Sequence, residues 1–138
     1  MNALAISVYS RSQVASNFKT SVGGRFYLFK APDSATYPYV TYNILTDSPD
    51  YYLNAKQTSG HNFEYFTISM NIHSNLDSAV ESGTILEYLK THFDDYEISI
   101  TGWTIKQFER SKVLGPFWND EIKEWIYSIS YDIILQKD

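Results

Sequence analysis

The sequence predicts an α+β fold: a single, largely antiparallel or mixed β-sheet of about five strands with two helices packed on one face. Three observations predict it. Apolar–polar alternation runs through residues 62–72 and again through most of 122–135, the period of half-buried strands. Residues 3–18 and 76–93 instead carry their apolar side chains at helical spacing. The resulting order is helix, two strands, strand, helix, two strands, which gathers the helices on one side of the sheet.

In chain order, residues 3–18 read as an amphipathic helix, with Leu4, Val8, Ala15 and Phe18 on one face and Ser10, Arg11, Ser12 and Gln13 opposite. Its serines and valines make it intrinsically weak, so it needs a sheet to lie on. Gly23 and Gly24 close it as a C-cap; no G-K-[ST] follows them, as a phosphate loop would require. Residues 25–29 form a short aromatic strand. Residues 31–34 are a loop, and residues 39–45 are a strand whose β-branched and aromatic content suits a central position. Pro38 stands at its mouth, where a missing N–H costs no ladder bond.

Residues 46–60, TDSPDYYLNAKQTSG, read as a long loop. It carries Tyr51, Tyr52 and Leu53, with Lys56 just beyond. Either these residues fold back on the sheet edge or they meet another chain. In the strand at 62–72, Phe66, Ile68, Met70 and Ile72 face the core, and Tyr65, Thr67, Ser69 and Asn71 face away. Ser74-Asn75-Leu76-Asp77 has capping-box form and opens the second helix. Leu76, Ala79, Val80, Gly83, Leu86, Leu89 and Phe93 make its apolar stripe. A helix-interior glycine costs about 1 kcal/mol relative to alanine, so Gly83 predicts close packing on the sheet.

Asp94, Asp95 and Glu97 read as a solvated turn rather than an acid–base pair. Residues 97–108 form a strand bulged at Gly102, where the alternation slips. Residues 109–121, ERSKVLGPFWNDE, read as a second long connection with a turn at Gly115-Pro116 and apolar matter at Phe117-Trp118. In the last strand Trp125, Tyr127, Ile129, Tyr131 and Ile133 alternate with Glu124, Ser128, Ser130 and Asp132. The sheet face opposite the helices, lined by Tyr, Thr and Ser, is left for solvent or for neighbours.

At 138 residues the chain predicts one domain spanning 1–138. Its 12 tyrosines, in an aromatic content of 17%, suit both a large sheet and a protein interface. The formal charge is −5, with a surplus of acid after residue 70. An acidic chain is a poor candidate for gripping phosphates, which need a cationic face. There is no cysteine, hence no disulfide frame and no thiolate metal site. The first residues lack a cationic signal-peptide region, and nothing approaches the twenty or so apolar residues of a membrane span. The expected location is a cytoplasm, or the inside of a particle assembled there.

No catalytic signature is visible. His61 and His73 bracket one strand about 40 Å apart if it is extended, and His92 lies on a helix end. These read as surface histidines, not as metal ligands. No nucleophile elbow, H-E-x-x-H or Gly-rich phosphate loop occurs. Lys106, Arg110 and Lys112, interleaved with Glu109, make the one basic cluster. It reads as a solvated hairpin face that could touch an acidic partner or passing DNA. The expectation is no enzyme, no cofactor and no metal.

The chain resembles the tail-completion or tail-terminator proteins of long-tailed bacteriophages. The residues that carry the likeness are Val22-Gly23-Gly24-Arg25-Phe26-Tyr27, Ala31-Pro32, and Tyr37-Pro38-Tyr39-Val40-Thr41-Tyr42. The strand at 67–72 running straight into the helix at 76–93 reinforces it. The resemblance implies a virion protein forming a homo-hexameric ring that caps the tail tube. Its partners would be the tail tube protein and the head-completion or stopper protein, with DNA passing through an acidic lumen without specific binding. Such a ring needs two different complementary patches per subunit. The residues assigned to them are Tyr51, Tyr52, Leu53, Lys56, Arg110, Lys112, Phe117 and Trp118. Alternatives are a small-molecule-binding or enzymatic cup-shaped α+β domain, or another neck protein such as the head-side stopper.

Overall fold

Helix α1 (Asn2–Ser12) buries Leu4, Ala5 and Val8, and helix α2 (Asn17–Val22) buries Phe18 and Val22. Both lie over one face of a five-stranded sheet in a computed structural model that describes residues 2–51, 62–94 and 98–138. Of residues 46–51 and 62 the backbone alone is described. The strands are β1 (Phe26–Leu28), β2 (Tyr39–Tyr51) and β3 (Asn62–Ser74), followed by helix α3 (Val80–Phe93) and then β4 (Trp103–Asn119) and β5 (Glu124–Lys137). Their order across the sheet is β1-β2-β3-β5-β4. β1 runs parallel to β2; every other neighbouring pair is antiparallel. The expected α+β class, mixed sheet and strand number are what the chain forms.

The core follows the predicted alternation. Phe66, Ile68 and Met70 of β3 pair with Ile133, Tyr131 and Ile129 of β5, all fully or almost fully buried. Ile85, Leu86, Leu89 and Phe93 of α3 complete the same cluster. Phe93 stacks on Phe26 with ring centroids 6.2 Å apart, and Phe26 stacks on Tyr42 at 4.4 Å. Two buried hydroxyls are tied off: Tyr42 donates to the Ala5 carbonyl at 3.1 Å, and Tyr131 donates to Asp94 at 2.7 Å. Both phenols are raised above the usual tyrosine range, first by burial, Tyr42 to about 12.

Several expected boundaries move, each for a local reason. The segment 3–18 is two helices, because the Ser12 hydroxyl donates back to the Tyr9 carbonyl and Ser16 accepts from the Lys19 N–H as a new N-cap. Ala15 is accordingly exposed. Gly23 caps α2 in the left-handed region as expected, at φ 60°. The capping box at Ser74 does not form: Ser74 is still paired with Trp125 in the sheet, and its hydroxyl donates to Glu81 at 2.7 Å. Helix α3 therefore starts at Val80, leaving Leu76 and Val80 exposed. A Cβ on Gly83 would meet Tyr127 at an ordinary 3.9 Å, so close packing does not demand that glycine.

Of the two expected long connections, the described part of the first and most of the second are strand. β2 continues through Tyr51, paired with β3, past a register shift between Ile44 and Thr46. Residues 109–119 belong to β4, which accommodates Gly115-Pro116 as a register shift against β5 between Leu114 and Phe117. A tight turn at residues 120–123 joins β4 to β5. Gly102 is not a strand bulge but a turn residue at φ 85°, between the bridged Ile100 and Trp103.

Candidate functional site: a polar cup and two sheet edges

Strand pairing brings together residues far apart in sequence on the sheet face opposite the helices. Tyr39 of β2 lies beside His73 of β3, and His73 beside Ile126 of β5. Glu124, at the mouth of β5, is 1% exposed. Such a buried carboxylate needs donors. The Tyr37 hydroxyl donates to it at 2.5 Å, and His73 Nδ1 lies 2.7 Å from its other oxygen. A carboxylate can only accept here, so Nδ1 carries a proton. Nε2 lies 3.0 Å from the Thr41 hydroxyl, which can donate to it or accept from it. Tyr39 stacks on the imidazole at 4.6 Å. The Tyr37 phenol is raised, first by its bond to Glu124 and then by burial, so it remains a donor.

These groups line an open depression of about 500 Å³, together with the segment Phe29–Asp33 and Ile122. Asn43 and Asn71 line it as well. A hydroxyl, an imidazole and a carboxylate in series have the order of a nucleophile relay. The neighbouring main-chain N–H groups, however, lie in the plane of the sheet, as strand geometry requires, and are not aimed into the cup. An oxyanion would have to rely on side chains alone.

The cup corrects the reading of the histidines. His73 is held between Glu124 and Thr41, and His92 is 7% exposed against Phe18 and Phe93. Neither is a surface residue; His61 lies outside the described residues. Asp94 is likewise engaged, by Tyr131 and by Arg110 at 3.5 Å, whereas Asp95 and Glu97 lie outside the described residues. Among the described residues no group of three or more histidines and acids is placed to hold a metal ion.

Those of the expected interface residues that are described fall on the sheet strands β2 and β4. Phe117 and Trp118 are 55% and 42% exposed on β4, in an edge strand rather than a loop, with Leu114 and Ile122 also exposed nearby. Trp118 leans on Trp125 at 5.2 Å. Lys112 is exposed on the same strand, and Arg110 is partly tied to Asp94. The backbone of Tyr51 ends β2; Tyr52, Leu53 and Lys56 lie outside the described residues.

At the other margin β1 covers only Val40–Tyr42 of β2. Phe29, at φ 64°, turns the chain away after β1, and among the described residues no strand flanks the outer edge of β2 beyond that point. Ala5, Ile6, Tyr9, Leu28 and Tyr42 line a shallow apolar groove of about 350 Å³ beside β1. No helix among the described residues is long and apolar enough to cross a membrane.

No protein-family model matches the chain, and no curated protein matches it by sequence. A chain in a solved structure of the virion of a native gene transfer agent particle is similar to it in fold. The match has a TM-score of 0.74, covers 94% of this chain and 91% of that one, and has 8% sequence identity.

Proposed function

We propose that this chain is a structural protein of a phage-like virion, and within it the ring-forming subunit that ends the tail tube. The observation that carries the proposal is the shared fold, which extends over nearly the full length of both chains. The motifs quoted for tail-terminator proteins point the same way. Shape is then the working property and no reaction is involved. The chain acts as one domain, in a homo-hexamer, between the tail tube protein and a head-side completion or stopper protein. DNA crosses its lumen without specific binding, and the acid surplus supports this by repelling phosphates.

Two features support assembly. Apolar side chains as large as Phe117 and Trp118 stand exposed on an edge strand, leaving apolar surface that a neighbouring chain would cover. The two sheet margins also differ in chemistry, as a head-to-tail ring requires. Tyr51, Tyr52, Leu53, Lys56, Arg110 and Lys112 join Phe117 and Trp118 as the proposed contact residues. The test is electron microscopy of particles made without this chain. Overlong or headless tails are expected, and normal tails joined to heads would refute the role.

A second reading rests on the cup: its converging Thr41, His73 and Glu124 favour a small polar ligand on the open sheet face. Thermal shift of the purified chain against a metabolite library, compared with Glu124→Gln, separates the two readings.

A further inference from the structure

The sheet ends on two unlike margins, and we propose that it is continued from one copy of this chain into the next by antiparallel pairing of the outer edge of β4 with the outer edge of β2. The inference rests on the ring-forming reading and names the contact such a ring would use.

Strand direction comes first. Because β2–β3, β3–β5 and β5–β4 are all antiparallel, β2 and β5 run one way while β3 and β4 run the other. Copies arranged about an axis along the strands keep that sense. The β4 of one copy then meets the β2 of the next antiparallel, and the alternation of the sheet carries on unbroken. A parallel clash arises nowhere.

Level and chemistry come next. Following the register across the sheet, Leu28 is level with Tyr42, Met70, Ile129 and Val113. Asp47 is level with Phe66, Ile133 and Phe108, and Asp50 with Phe63, Gln136 and Thr104. Lys106 lies between those last two levels on β4. Each margin is therefore zoned alike from end to end. On β4 the zone is apolar at Leu114 and Phe117 and basic at Lys106 and Arg110. On the opposite margin it is apolar at Leu28, beside Ile6 and Tyr9, and the β2 positions level with Phe108 and Thr104 are held by Asp47 and Asp50. Apolar meets apolar and base meets acid, without turning either copy over.

The same zoning disfavours isologous pairing, since β4 against β4 brings base to base when parallel and sets the basic end against the apolar end when antiparallel. Pro49 has no N–H to give, and an uncovered strand is where a sheet tolerates it. It limits the new ladder to the stretch of β2 before it, from Asn43 to Asp47.

The chain has no cysteine, so an engineered pair reports without background. Leu45→Cys, at a position 58% exposed on the β2 margin, is combined with Lys106→Cys, and in a second variant with Glu109→Cys. Both are oxidised as concentrated protein and in particles that incorporate them. A ladder of covalent multimers closing at the ring size is expected on a denaturing gel, with each single variant remaining monomeric. Dimers from Lys106→Cys alone would reveal isologous edges and overturn the proposal. So would the absence of a ladder from both pairs in both settings. The ring reading fails separately, when loss of the chain leaves tails of normal length joined to heads.

Discussion

Arg11 and His92 each hold the other's main chain. The Arg11 guanidinium donates to the His92 carbonyl from Nε at 3.1 Å and from Nη2 at 2.9 Å. His92 Nε2 lies 2.7 Å from the Arg11 carbonyl, which can only accept, so Nε2 carries the proton. Two helix C-termini are thereby clasped, and a cation sits where the α3 dipole is negative. The imidazole does this while packed between Phe18 and Phe93, which ties the clasp to the core.

The clasp makes stability depend on pH. Burial is the largest effect on His92 and lowers its pKa below 6.5; the bond to the Arg11 carbonyl opposes this and the Arg11 charge adds to it. The unfolded chain then binds the proton more readily than the folded one. The contribution is complete above about 6.5 and is lost as pH falls through the lowered folded value. Urea midpoints between pH 7.5 and 5.5 should fall for the wild type. His92→Gln should flatten part of that fall, by at most about 1.4 kcal/mol per pH unit for one proton. Parallel slopes for the two proteins would exclude this role for His92.

Glu124 serves two donors at once, and its removal strands both. Glu124→Ala should cost about 2–4 kcal/mol in urea unfolding, because the Tyr37 hydroxyl and His73 Nδ1 lose their acceptor in a buried site. Tyr37→Phe, which removes a donor and leaves the carboxylate with His73, should cost about 1–2 kcal/mol. A smaller effect for Glu124→Ala than for Tyr37→Phe would mean that water replaces the carboxylate.

Three glycines should respond to alanine in three ways. At Gly115, φ is 118° and a Cβ would stand 2.8 Å from the Ile126 carbonyl oxygen, so Gly115→Ala should cost more than about 2 kcal/mol. Gly102 has φ 85° but open space around it, and only the backbone strain of about 1–2 kcal/mol applies. Gly83 lies in a helix with room for a methyl, so Gly83→Ala should stabilise by up to about 1 kcal/mol. Thermal unfolding of the three variants in parallel gives the ranking directly.

Exposed aromatic residues should matter to assembly more than to folding. Phe117→Ala should change unfolding free energy by less than about 1 kcal/mol, and Trp118→Ala by about 1–2 kcal/mol through the lost contact with Trp125. Light scattering and incorporation into particles should fall for both. Unchanged incorporation would remove these residues from the interface.

Much of the architecture is written locally. Alternation at Phe66, Ile68, Met70 and Ile72 marks β3 because a half-buried strand has no other period, and Trp125 to Ile133 marks β5 for the same reason. Gly23 announces its cap because a left-handed residue excludes most side chains. The exposure of Phe117 and Trp118 was also foreseeable as misplaced apolar matter, although they stand in a strand.

Other features depend on partners distant in the chain. Residues 109–119 look like a loop because their polar and Gly-Pro content is that of an uncovered edge, and only the ladder to β5 makes them a strand. The parallel course of β1 shows only in its register with β2, where Phe26 stacks on Tyr42 and Phe93. Thr41, His73 and Glu124 have no spacing that announces a cup; register alone places them in contact. By itself the sequence determined which faces are apolar and where the backbone must turn, since those follow from each residue and its near neighbours. Which strands lie side by side, and hence the cup and the two margins, was decided by the tertiary structure, because pairing energy depends on contacts that no local pattern encodes.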